Sequence, residues 1–173
     1  MGGRISSPFS DFSAGTNSEF IKIKINGTVV PGNSQVDKFN DYFDGDSPNA
    51  FHAFAGVDGT FFDIVTVKIK VTKETQSLLE NFFKRGGKTL TIEIVRREAT
   101  EVESSYSSYT VIYEDCRVHD LLLAHDQAAN LMLELSFTPR KSVSIELNIP
   151  SSDRQKTEKI GPIVYNLQKE ILV

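Results

Sequence analysis

Four stretches of this chain put an apolar residue at every second position. They are Ile21, Ile23 and Ile25 in "EFIKIKI", Leu90, Ile92 and Ile94 in "KTLTIEIVRRE", Leu131, Leu133, Leu135 and Phe137 in "LMLELSF", and Val143, Ile145, Leu147 and Ile149 in "SVSIELNI". A period of two sends every apolar side chain to one face of an extended strand, and that face has to be covered. "SYTVIYEDCRV" adds Tyr109, Val111 and Tyr113 in the same pattern. The alternation predicts a mainly β fold, an antiparallel β-barrel or tight β-sandwich.

One segment breaks the period. In "FDIVTVKIKVTKETQSLLENFFKRGG", Phe62 to Gly87, the apolar residues alternate up to Val71 and then fall at Leu78, Leu79, Phe82 and Phe83, the spacing of an amphipathic helix. The spacing predicts one flanking helix over about residues 73–85, capped by Thr72, with those four side chains as a plug over an open part of the sheet. Gly86 suits the left-handed residue that ends a helix, and Lys84 and Arg85 suit the negative end of its dipole.

A length of 173 residues fits one domain with tails. We divide it into an N-terminal arm, 1–17, a β domain, 18–149, and a C-terminal extension, 150–173. The arm has no period, yet it carries Phe9 and Phe12, which suggests docking on its own domain or on a neighbour. Asn26-Gly27 marks a tight hairpin with a short return strand over Thr28 to Val30. Residues 33–58 mix turn formers with Phe39, Tyr42, Phe43, Phe51 and Phe54; they read as a long loop that either folds over the core or contacts a partner. "EATEVESSYSS" reads as a solvent loop, "HDLLLAHD" as a separate apolar piece, and Pro139 as the end of a strand. After Pro150 a polar linker leads to "IGPIVYNLQKEILV", which includes Tyr165 and is too apolar to be a free tail.

Catalytic signals are weak. His119-Asp120 and His125-Asp126 have no third or fourth ligand at a supporting spacing and read as polar turn residues. Asp41, Asp44 and Asp46 lack the terminal glutamate of a calcium loop, and "KRGGK" follows a helix where a phosphate loop would precede one. No Gly-x-Ser-x-Gly elbow occurs among the serines. Cys116, the single cysteine, allows no internal disulfide and reads as a small buried strand residue. No enzyme, catalytic residue, metal or cofactor is expected. A net charge of −4 argues against a surface that grips phosphate backbones. No apolar run is long enough to cross a bilayer, the first residues have no secretory apolar core, and Met1-Gly2 with Ser6 lacks the polybasic segment that a stable lipid anchor needs. Folding in a cytoplasm, without membrane contact, is the expectation.

The order of elements is informative where single motifs are not. "VTVKIKVTKETQSLLENFFKRGGKTLTIEIVRRE", followed by "YTVIYEDCRVHDLLLAHDQAANLMLELSFTPRKSVSIEL", resembles the phage tail tube proteins and their relative, the haemolysin-coregulated protein of type VI secretion. The resemblance spans roughly Phe20 to Leu147. It implies a barrel with one helix, homohexameric rings stacked into a hollow inner tube, and DNA or an effector passing through the lumen without specific binding. A surrounding sheath, a baseplate and a tape-measure protein are the implied partners. The arm and the extension after Pro150 are departures that point towards a contractile phage tail or phage-tail-like particle, with a secretion tube or a single-ring baseplate or terminator component as alternatives. On this reading Phe9, Phe12, Phe39, Tyr42, Phe43, Phe51, Phe54 and Tyr165 are candidate subunit contacts. A reading from another class is a monomeric β-sandwich whose aromatic loop binds a ligand. Lys22, Lys24, Glu93, Glu134 and Glu146 lie on polar strand faces that could meet a lumen, a sheath or water.

Overall fold

A computed structural model of the chain describes residues 18–98, 106–153, 156–169 and 171–172. Phe9 and Phe12 lie outside the described residues. Strand β1, Ser18–Ile25, runs through Asn26 at φ 50° and Gly27 at φ 81° into β2, Thr28–Val29. Two successive positive φ angles are what the Asn-Gly pair supplies at low cost. Next come β3, Phe43–Asp46, β4, Ala53–Ala55, β5, Thr60–Phe62, and β6, Val65–Lys70. A 3-10 turn over Lys73–Thr75 leads into the helix α1, Gln76–Phe83. Strands β7, Leu90–Glu98, β8, Tyr106–His125, β9, Leu131–Pro150, β10, Thr157–Asn166, and β11, Ile171–Leu172, complete the chain.

Hydrogen bonding runs β9–β6–β3–β1–β7–β8, and β8 pairs again with β9, so six antiparallel strands close a barrel. Closure explains the alternation: Ile21, Ile23, Val67, Ile69, Ile92, Ile94, Val111, Leu133, Leu135 and Phe137 all point inside and are almost wholly buried. Each such side chain contributes about 1.5–3 kcal/mol over its exposed state. Tyr113 joins them because its hydroxyl donates to the carbonyl of Ala50, so its one polar atom is satisfied.

Four expectations need correction. The stretch 33–58 is not one loop, because β3 lies in it, bonded to β1 on one side and β6 on the other. Its four residues, with Asp44, Gly45 and Asp46 among them, are too short and too polar to show a period. Gly45 fits because a Cβ there would lie 2.5 Å from Ile21 Cδ1 and 2.7 Å from the carbonyl of Lys68. Nor does Pro139 end a strand. It sits in β9 where pairing to β6 has stopped at Phe137 and pairing to β10 has not begun until Ser142, so its missing N–H removes no bond on that side. "HDLLLAHD" is likewise the far half of a single 20-residue β8. Both long strands bend near a bulge between Glu114 and Cys116, where Asp115 takes φ 56° and its carboxylate accepts from Arg140 at 2.9 Å.

The fourth correction concerns the plug. Thr72 Oγ1 accepts from Glu74 N at 3.2 Å, as expected of a cap. At the other end Gly86 N donates to Asn81 O and Arg85 N to Phe82 O, a pairing that makes Arg85, at φ 60°, the first left-handed residue and Gly86, at φ 68°, the second. Leu78 is buried, Leu79 and Phe82 are half-buried, and Phe83 is 77% exposed. At 100° per residue Phe83 stands about 140° from Leu78, off the covered face. Asn81 holds that face instead, its carboxamide accepting from Lys88 N at 3.0 Å and donating to Lys88 O at 3.2 Å. The helix is therefore tied by a polar residue to the start of β7.

Candidate assembly surfaces

The aromatic residues of 33–58 divide into three groups. Phe43 is fully buried in the barrel, so it builds the core and has no surface to offer a neighbour. Phe39 and Tyr42 cover the outer face of β1 and β7. Phe39 stacks on Phe20 with ring centres 4.2 Å apart, and Tyr42 meets Phe39 edge-on at 5.1 Å. Phe20 is completely buried although it points away from the barrel interior, and Val95 opposite it in β7 is buried as well. The Tyr42 hydroxyl donates to Glu93 Oε2, and Lys22 Nζ lies 5.2 Å from the centre of its ring. Burial, followed by the bond and the charge of Glu93, raises the Tyr42 phenol well above its ordinary range. These two rings are engaged within the protomer.

The third group is different. β4 and β5 form a two-stranded sheet of their own, with Ala53 opposite Phe62 and Ala55 opposite Thr60. Phe51 is 38% exposed, Phe54 48% and Phe61 50%, while Val57 at the tip is 99% exposed. An isolated hairpin is marginal in water, so its root needs support. Phe62 packs against the core and lies 5.8 Å from the ring of Tyr165 on β10, and Thr60 N donates to the Tyr165 hydroxyl at 3.4 Å. Asp63 N donates to His52 O at 3.0 Å, and His52 Nδ1 meets Asp63 Oδ2 at 3.1 Å. Tyr165 thus belongs to the root of the hairpin, and Phe51, Phe54 and Phe61 belong to its open side. A cluster of exposed aromatic residues beyond a supported root is apolar surface of the kind that binding sites use. Phe61 and Val57 escaped the sequence reading, although "GVDG" between "AFA" and "TFF" carries a hairpin signal.

Two sheet edges are also open among the described residues. Past Glu114, β8 leaves β7 and pairs with β9 alone, so the far side of Arg117–His125 has no strand beside it, and Leu122 and Leu123 are half-exposed there. On the opposite flank β10 pairs with β9, and β11 covers only Tyr165 and Asn166. The apolar face of β9 ends at Ile149 and continues onto β10 as Ile160 and Ile163, each of the three at least 40% exposed. Open backbone beside exposed apolar side chains is a template for another strand.

The remaining candidates have local partners. His119 Nε2 lies 2.7 Å from Thr138 Oγ1, and Asp126 closes a turn by accepting from the Asn130 carboxamide, from Asn130 N and from Ala128 N, bonds that lower its pKa. Asp44 and Asp46 are strand residues of β3. Cys116 is buried, and burial pushes its thiol far up. Glu19, buried at the Ser18 end of the barrel, accepts from Ser47 N at 2.8 Å and from the Tyr109 hydroxyl; desolvation outweighs both bonds and raises its pKa. Among the described residues no three His, Cys, Asp or Glu side chains group as metal ligands.

No protein-family model matches this sequence, and no curated protein matches it. Solved structures do. A type VI secretion system protein is similar with TM-score 0.67 at 15% identity, over 89% of this chain and 99% of that one. Hcp1 from Salmonella typhimurium is similar with TM-score 0.63 at 13% identity, over 90% and 99%. A further Hcp protein gives TM-score 0.61 at 14% identity, over 84% and 98%. The first of these likenesses takes in more of the chain than residues 1–149 contain, so part of the C-terminal extension belongs to the shared fold and is no departure from it. A closed barrel bearing one helix, a projecting hairpin and two open edges is, in this chain, the Hcp fold.

Proposed function

We propose that this chain is a structural subunit that closes into rings, six to a ring, and that the rings stack into the hollow inner tube of a contractile injection apparatus. The observation that carries the proposal is the likeness, over nearly their whole length, to structures described as type VI secretion and Hcp proteins. Two features of the protomer support it. The open edge of β8 and the open edge of β10 lie on different flanks of one barrel, so pairing one with the other on a second copy is head-to-tail and repeats until the ring closes. The exposed rings of Phe51, Phe54 and Phe61 supply a further contact outside the sheet. A net charge of −4 suits a conduit, because DNA that adheres to a wall does not slide along it. The lumen then passes DNA or an effector, and sheath, baseplate and tape-measure proteins are the partners. Both the phage-tail-like and the secretion versions fit, since the extension that favoured the former lies in part within the shared fold.

Light scattering coupled to size-exclusion chromatography tests the proposal. A ring has six times the 19.3 kDa of the chain, and stacked rings have multiples of that. A constant 19.3 kDa at every concentration would favour the monomeric binding module.

A further inference from the structure

Below α1, at the end of the barrel opposite Ser18, lies a pocket of about 450 Å³. Leu78, Leu90, Cys116 and Leu135 form its buried apolar floor, with the half-buried Phe82 and Val118 on its walls. Arg85, Arg117, Arg140 and His119 stand around it. Arg140 is paired with Asp115 at 2.9 Å, but Arg85 and Arg117 make no ion pair among the described residues. In a chain of net charge −4 this is a local excess of positive charge over an apolar hollow. Its complement is a segment that carries large apolar side chains and an acidic group between them.

The chain itself contains such a segment. Phe9-Ser10-Asp11-Phe12 places a carboxylate between two aromatic rings, inside the 17 residues that precede β1. We propose that this pocket receives Phe9–Phe12 of a second copy, with the aromatic rings on the apolar floor and Asp11 between Arg85 and Arg117. The inference rests on the stacked-ring reading. β1 pairs Ser18 with Arg97 and Ile25 with Leu90, so the arm leaves the barrel about 23 Å, seven strand residues, from the Leu90 that lines the pocket. Stacking barrels end to end sets the departure point of one arm beside the pocket of the next protomer. The six residues from Phe12 to Ser18 span about 20 Å when extended, enough to cross a junction between rings. The arm is then a strap that couples successive rings, and the arginines fix its register.

Photo-cross-linking in the full chain tests this. Phe9 is replaced by p-benzoyl-phenylalanine, equal amounts of isotopically heavy and light protein are co-assembled, and the cross-linked peptides are identified by mass spectrometry. The expected result is heavy-to-light cross-links from position 9 to residues 78–85 or 116–119. In the Arg85→Glu/Arg117→Glu variant their yield falls at least about tenfold, the effect of some 1.4 kcal/mol, and Asp11→Arg restores it. Both arginines are exposed, and an unchanged melting curve checks that the variant is folded. Tubes with cross-links elsewhere, within one copy only, or indifferent to the charge reversal overturn the strap and leave the tube reading intact. Absence of tubes from the unaltered chain overturns the tube reading and the strap with it.

Discussion

Replacing Phe51 and Phe54 together by serine separates the folding role of the aromatic residues from their contact role. A phenylalanine presents about 200 Å² of accessible surface, so exposures of 38% and 48% leave about 170 Å² of aromatic surface on the two rings for a neighbour to cover. At about 25 cal/mol per Å², full coverage contributes about 4 kcal/mol per contact, or roughly a thousandfold in association constant. Within the protomer the double variant loses the edge contact of Phe51 with Phe62 at 5.9 Å, the stacking of Phe54 on Phe61 at 5.8 Å and the tilted contact of Phe54 with His52 at 6.0 Å. Each such pair is worth about 0.5–1.5 kcal/mol, so the barrel stays folded. Sedimentation velocity across a concentration series reads the first effect, and thermal melting by circular dichroism reads the second. The account predicts rings that appear only at concentrations about a thousand times higher, with a small shift in melting. Rings at the original concentration refute the assignment of these residues to the contact.

Four further outcomes follow from the same geometry. Phe43→Ala, in the barrel core, destabilises the protomer by about 3–5 kcal/mol in a denaturant titration, whereas Phe83→Ala, exposed on the helix with an edge contact to Phe82 at 6.0 Å, lowers stability by no more than about 1.5 kcal/mol. Asn81→Ala removes two part-buried hydrogen bonds to the backbone of Lys88 and lowers stability by about 1–3 kcal/mol, seen in the same titration. Because burial raises the pKa of Glu19, its neutral form is favoured in the fold; the stability this confers is complete below the ordinary value of 4.5 and is lost as the pH rises through the raised one. Wild-type stability minus that of Glu19→Gln is therefore greater at acid than at neutral pH in paired denaturant titrations, and a pH-independent difference contradicts the assignment. Ile160→Lys on β10 prevents ring formation in light scattering while its melting curve matches the wild type, because a charge beside an open edge blocks strand addition.

What could be read from the sequence follows from how much each element relies on its own residues. β1, β7 and the first half of β9 bury most of one face, so their period of two is visible in Ile21 and Ile23, in Ile92 and Ile94, and in Leu133 and Leu135. The helix shows through Thr72, Leu78 and the left-handed Gly86, although the positive φ of Arg85 before it was hidden, as was the share of the helix face held by Asn81, because a polar residue does that anchoring. β3 was invisible for the opposite reason. Its four residues are held in place by β1 and β6, and Gly45 is there for a close approach and not for any strand preference. Pro139 misled because a proline marks the loss of a ladder bond, and the gap between the β6 and β10 pairings that makes this harmless is a tertiary fact. The candidate contacts divide along the same line. Aromatic content marked the whole 33–58 stretch, but only the fold shows that Phe43 faces inward, that Phe39 and Tyr42 are held by Phe20 and Glu93, and that Phe51 and Phe54 are left open.

Negative-stain electron microscopy of the purified, concentrated chain tests the central claim most directly. The account predicts annular particles with six-fold symmetry and a central hole, lengthening into hollow tubes as concentration rises. A field of single compact particles of one 19.3 kDa subunit, unchanged at every concentration, would contradict it.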